Sequence, residues 1–255
     1  MLADRKNLDP QVTQLLRRLK LGPLTEVLPE RLLQARQKGM DPEDFLLILL
    51  GDEAERRQQN ASTHRAAKAG LAADMVLDAW DRHTEVSYDR DLLDRLMTLT
   101  FLERHEHVCA MGPVGVGKTM IAQGLGHIAS ARGKSVANYS AVKLFAQLKV
   151  GRVDQTYAKQ MRQLTTVDLL ILDDFALHPM DMMATVDFAE IVVERHRHAS
   201  IILTSNRDPS EWIPMMAEQL LAQSAVDRFT NNAHDLVLDG PTYRPRQKPG
   251  RSAQA

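Results

Sequence analysis

Apolar residues in the first seventy positions fall at helical spacing, with no strand-like alternation. Leu15, Leu16 and Leu19 form one stripe. Val27, Leu28, Leu32 and Leu33 form a second, with Pro29 inside it and a bend predicted there. The run Asp41, Pro42, Glu43, Asp44 predicts a third helix start. An aspartate accepts bonds from free amides, proline suits the first helical position, and acids complement the positive end of the helix. That helix carries Phe45, Leu46, Leu49 and Leu50 and turns polar from Glu53 to Gln59. Positions 61–88 have small side chains and little period, so they read as a connection, with a domain boundary near Leu71.

Beyond position 89 the pattern changes. A helix is predicted over 91–102, followed by strands at 107–111, 135–139, 168–172, 200–204 and 236–238. Helices fit 118–131, 142–150, 155–164, 184–196 and 217–229. Short, nearly all-apolar strands alternating with helices predict a parallel sheet covered on both faces. The expectation is an α/β domain over 71–242, preceded by a small all-helical domain over 1–70 and followed by a basic tail over 243–255.

Composition adds boundaries to this picture. Of the 255 residues 44% are hydrophobic, enough for a real core, and the formal net charge of −1 leaves no global field to draw the chain onto nucleic acid or membrane. Any DNA contact must come from local patches. The single cysteine, Cys109, excludes an internal disulfide framework and fits a reducing cytoplasm; no segment reads as a leader or a membrane span.

The chemistry concentrates after the first predicted strand. Gly112, Pro113, Val114, Gly115, Val116, Gly117, Lys118 and Thr119 match the pattern GxxxxGK[ST] at every position, between a strand and a helix. Glycines let the backbone wrap a phosphate chain so that its amides face the oxygens. Lys118 then bridges the terminal phosphates, and Thr119 holds magnesium at a helix start. ATP with Mg2+ is the expected ligand. The run Leu169, Leu170, Ile171, Leu172, Asp173, Asp174 has the form of a Walker B strand. Asp173 suits the magnesium shell and Asp174 the attacking water. An aspartate at 174, shorter than the commoner glutamate, predicts slow hydrolysis. Asn206, after the strand ending Thr204-Ser205, is the candidate γ-phosphate sensor. Arg228, late in the last long helix, is a candidate arginine finger toward a neighbouring subunit; the alternative is a surface arginine paired with Asp227 or Glu218.

A GTPase is disfavoured, because no DxxG follows Asp173 and no NKxD occurs. A small-molecule kinase would need an arginine-bearing lid, and none is evident. The order of P-loop, acid pair, polar strand end and late arginine describes an AAA+ ATPase. At the level of residues the chain resembles the IstB-like transposition helpers and is similar to DnaC-type helicase loaders. The segments carrying this are GPVGVGKTMIAQGLGHIA, DLLILDDF, IILTSNRDPSEW, AVDRFTNNAHDLVLDGPTYR and, near the start, PEDFLLILLGDEAERR. The resemblance implies a homo-oligomer that assembles with ATP on double-stranded DNA, selects target sites and stimulates a partner transposase, with hydrolysis disassembling it. A helicase loader is the near alternative and a kinase the distant one. It also makes Arg244 a second phosphate-sensing candidate, and the 1–70 domain a site of oligomerisation or of contact with DNA or a partner.

Lys143, Lys149, Arg152, Lys159 and Arg162 face one acid, Asp154, between the second and third strands. They are candidate contacts to DNA phosphates, which are sequence-independent and salt-sensitive; a solvated helix face is the alternative. Further basic patches are Arg17, Arg18 and Lys20, the pair Arg56 and Arg57, and the tail residues Arg244, Arg246, Lys248 and Arg251. The spacings of His105 with His107 and His196 with His198 lack the partners of a metal site. Cys109 reads as a buried small hydrophobe, Met180, Met182 and Met183 as loop or core residues, and Trp80 and Trp212 as isolated aromatics.

Overall fold

The computed structural model describes residues 8–80 and 85–242. Its contacts divide the chain into two units, one ending at Ala61 and one beginning at Ser62. The division precedes the expected Leu71.

In the first unit, α1 (Pro10–Arg18) starts where the Asp9 carboxylate accepts from the Gln11 amide at 2.8 Å. Helix α2 (Leu24–Lys38) carries Pro29 within it and stops at Gly39, whose φ of 59° is the left-handed cap that glycine takes without strain. Helix α3 (Pro42–Lys68) runs on past the polar stretch where the apolar pattern fades. Leu24, Leu28 and Leu49 are its buried centre, with Leu16, Leu32 and Phe45 packed around them. Arg31 grips Asp52 with two bonds of 2.7 and 3.1 Å. Arg56 and Arg57, a candidate patch for DNA, instead both bind the buried Glu53 carboxylate.

The second unit is built on five parallel strands: β1 (His107–Met111), β2 (Val136–Ser140), β3 (Leu169–Asp173), β4 (Ser200–Ser205) and β5 (Ala233–Val237). They lie in the order β2-β3-β4-β1-β5. The connections are α6 (Lys118–Ala131), α7 (Ala141–Val153), α8 (Tyr157–Thr166), α9 (Met182–Arg195) and α10 (Gln219–Thr230). Side chains alternate across the pleat. Leu170, Leu172, Ile201 and Leu203 join Phe175, Phe188, Trp212 and Phe229 on one face. Leu169, Ile171, Ile202 and Val108 meet Ile121, Leu125 and Leu71 on the other.

Three expectations shift. The helix predicted over 91–102 is two pieces, α4 (Arg90–Met97) and α5 (Thr100–Glu103), broken at Leu99, whose φ is 64°. The break lets Leu96, Leu99, Phe101 and Leu102 all reach the core, which one straight helix would not allow. Strand β5 begins at Ala233 rather than 236, because an edge strand buries little and here only Leu236 is buried. The weakly patterned stretch 61–88 is not a loose connection. After α3 ends, the backbone at Ala69 and Gly70 accepts from the Asn138 amide and side chain at 2.8 and 2.9 Å. The Ala72 amide donates to Gln123 of α6 at 2.8 Å. Leu71, Trp80 and Val86 are buried.

Arg152 also leaves the candidate DNA surface. Its guanidinium lies 4.0 Å above the Tyr157 ring and forms a two-bond pair with Asp187, whose side chain is 1% exposed. The Tyr157 hydroxyl donates to the same carboxylate at 2.8 Å. These contacts tie α7 and α8 to α9. Arg152→Ala strands the buried carboxylate with two donors fewer, and about 2 kcal/mol of stability should go; the cost is below that of a fully buried pair because the arginine is part-exposed. Urea denaturation of the variant checks this, and an unchanged midpoint would refute the clamp.

Candidate nucleotide site

The loop 112–119 joins β1 to α6 at the carboxyl end of the sheet, where strands of a parallel sheet open onto ligands. Its tight course needs glycine at two points above all. At Gly112 (φ 142°) a Cβ would lie 1.9 Å from the Leu238 carbonyl oxygen. At Gly117 (φ 103°) it would lie 2.1 Å from the Trp80 ring. Lys118 opens α6 and is 6% exposed, its ammonium donating to the carbonyls of Gly112 and Pro113 at 2.8 and 2.7 Å. Beside it the Thr119 hydroxyl bonds to Asp173, 2.9 and 3.1 Å from its two carboxylate oxygens.

The strand ends complete the group. Thr204, fully buried at the end of β4, donates its hydroxyl to Asp173 at 2.5 Å and accepts the Asp174 amide at 3.0 Å. Asp174 has a φ of 56°, so the chain leaves β3 abruptly instead of continuing the strand. One cavity of about 210 Å³ is lined by loop and helix residues including Gly115, Gly117, Lys118 and Thr119, by Asp174 and Asn206, and by Met75 and Trp80. Lys118, Thr119, Asp174 and Asn206, far apart in sequence, therefore share one space, with Asp173 bonded to Thr119 at its edge. Arg228 does not join them: it lies exposed on α10, with no ion pair to Asp227 or Glu218 among the described residues. Arg244 lies outside the described residues.

Sequence reasoning missed two contributors. Trp80 is 7% exposed, donates its indole N–H to the Tyr88 hydroxyl at 3.1 Å, and lies against the loop at Gly117. Thr204 holds both acids. Neither carries a periodic signal. Trp212 belongs to the core, with its indole donating to Ser205 Oγ at 3.0 Å. His107 is buried and stacks on Phe229, and burial pushes its imidazole pKa down to about 3. Cys109 is buried in β1, and burial raises its thiol pKa well above the ordinary range. Met180 is buried while Met182 and Met183 are exposed.

The residues present suit a nucleoside triphosphate with a divalent cation. A glycine loop at a helix start offers amides, a buried lysine lines the cavity, and a hydroxyl and a carboxylate stand side by side as hard oxygen donors.

The sequence profile of the IstB-like ATP binding protein family matches residues 14–251. The chain belongs to this family. Over 245 residues it is 35% identical to an insertion-sequence ATP-binding protein of Mycobacterium tuberculosis, covering 96% of this chain and 98% of that one. It is 32% identical to an insertion-sequence ATP-binding protein of Pseudomonas aeruginosa, covering 92% of this chain and 88% of the other. Among solved structures its fold is similar to that of DnaI, with a TM-score of 0.57 at 20% identity over 66% of this chain and 94% of that one. The DnaC helicase loader gives 0.54 at 17% identity over 65% and 97%. The replication initiator DnaA bound to AMPPCP and single-stranded DNA also gives 0.54, at 24% identity, with 65% of this chain spanning half of that one. Membership of the family makes this an ATP-binding P-loop protein of the kind associated with insertion sequences, and its fold is the one shared by these loader and initiator structures. Among the described residues no helix is long and apolar enough to cross a membrane.

Proposed function

We propose that this protein is an ATP-dependent helper of transposition. It binds ATP with Mg2+ at the loop 112–119, assembles on duplex DNA as a homo-oligomer, selects target sites and stimulates a partner transposase. Hydrolysis ends the assembly. The observation that supports this best is the split of the site: Lys118, Thr119, Asp174 and Asn206 line one cavity, while Arg228 stands exposed on α10 with no ion pair among the described residues. An exposed arginine outside the lining of its own cavity is available to another copy's.

In this reading the loop amides and Lys118 bind the phosphates, and Trp80 and Met75 line the same cavity. Thr119 and Asp173 would hold Mg2+, which when bound would supply positive charge to offset the negative charge developing on the phosphates. Asp174 orients the attacking water and takes its proton, and Asn206 reads the terminal phosphate. Arg228 of a neighbouring copy stabilises the charge in transfer. Lys143, Lys159 and Arg162 remain exposed for DNA phosphates; Lys149, 3.1 Å from Asp181, is half engaged.

Light scattering with ATP and duplex DNA at low salt tests the assembly, and a strict monomer there would sink the proposal. Recovery of a hexameric helicase rather than a transposase in a pull-down would favour the loader reading. For the shared site, Arg228→Ala is expected to bind ATP normally and to lose about a hundredfold or more in turnover within the oligomer. Mixing it with Asp174→Asn should restore activity, since some junctions then pair an intact acid with an intact arginine. Absence of complementation would remove the finger assignment.

A further inference from the structure

The bond that Asp173 receives from Thr119 is what a P-loop site leads one to expect; the bond from Thr204 is not. Thr204 spends its single O–H on Asp173 Oδ1 at 2.5 Å and a lone pair on the Asp174 amide at 3.0 Å. One fully buried hydroxyl thus touches both acids, the first through its side chain and the second through its backbone. The same residue's carbonyl accepts the Phe175 amide at 2.8 Å, and Ser205 Oγ donates to the Phe175 carbonyl at 3.0 Å. The end of β4 therefore grips the turn after β3 at three consecutive residues. That turn needs gripping: Asp174 and Ala176 have φ of 56° and 53°, where a side chain is strained.

We propose that Thr204 is a positioning residue for the acid pair, a role that rests on the ATPase reading above. Its hydroxyl fixes the rotation of the Asp173 carboxylate toward Thr119, so that the two oxygen donors meet a divalent cation already aligned. By accepting the Asp174 amide it also holds the left-handed backbone that turns Asp174 into the cavity. Without it the carboxylate keeps only the Thr119 hydroxyl to set its rotation, and a part-buried amide loses its acceptor. Asn206 reads the nucleotide from the cavity wall; Thr204 acts one layer behind and touches no phosphate.

Valine is the closest shape without the hydroxyl and suits a strand. In wild type, Thr204→Val and Thr204→Ser, affinity for a fluorescent ATP analogue is measured in EDTA and across a magnesium titration. Steady-state hydrolysis and hydrogen exchange at the 174 and 175 amides are followed alongside. Thr204→Val is expected to keep its EDTA affinity within about twofold, to need about tenfold more magnesium for half-saturation, and to lose about tenfold in kcat with little change in KM. Its Asp174 amide should exchange about tenfold faster. Thr204→Ser should match wild type in all four readings. If valine prevents folding, Thr204→Ala carries the same expectations. A folded hydroxyl-less variant with wild-type magnesium dependence and exchange would overturn the role, as would a folded serine variant with the valine defects. Wild-type protein that neither hydrolyses ATP nor gains affinity with magnesium would instead overturn the ATPase reading, and the two failures are distinct.

Discussion

Lys118→Ala is expected to weaken ATP binding by about a hundredfold or more and to abolish nucleotide-driven assembly on DNA. The size follows from what the ammonium does. It is 6% exposed, and its present partners include two carbonyls of its own loop, those of Gly112 and Pro113. When phosphates arrive they replace neutral acceptors with charged ones, and bonds to charged groups contribute about 1.5–3 kcal/mol each. Losing two of them corresponds to the predicted fall in affinity. The fold should survive, because the loop's course is set by its glycines and by β1 and α6 on either side. Equilibrium titration with a fluorescent nucleotide, sedimentation with duplex DNA and a melting curve check the three parts. Binding within threefold of wild type would remove Lys118 from the phosphates; full assembly despite lost binding would detach assembly from ATP.

The contrast between what the sequence disclosed and what it hid has a physical basis. The P-loop was legible because its chemistry demands fixed residue types at fixed spacing within one segment. Helix α6 was placed at both ends because the loop determines its start and the strand after it limits its end. Central strands read clearly for a different reason: β3 and β4 are buried on both faces, so each carries an unbroken apolar run, at 169–172 and at 201–203. Edge strand β5 is buried at Leu236 alone, and its polar first half concealed it. The break at Leu99 was invisible because helical propensity continues through it and only the demand for four buried side chains forces the turn. Counting charges promoted Arg152 to a DNA contact, but its partner Asp187 lies on another helix. Trp80 and Thr204 escaped for the same reason. Their importance lies in what they touch after folding, and a single aromatic or a threonine at a strand end has no period to betray it.

Asp174→Asn should do the opposite of the lysine change: bind ATP within about twofold of wild type, lower turnover by about a hundredfold, and leave the protein locked on DNA. Asparagine has the same shape and tolerates the left-handed backbone better than almost any other side chain, so the φ of 56° and the bond from the 174 amide to Thr204 should persist. What disappears is the charge that orients a water and accepts its proton. Asp173, with its hydroxyl partners Thr119 and Thr204, is untouched, so the binding half of the site stays whole. Lys118→Ala therefore prevents assembly from forming, whereas Asp174→Asn prevents it from ending. Phosphate release under multiple turnover, followed by the lifetime of the DNA complex after ATP is removed, separates the two. Unchanged turnover would show that Asp174 does not act on the water. Lost turnover with a complex that still dissociates at the wild-type rate would break the link between hydrolysis and release, and make nucleotide exchange the step that frees the DNA.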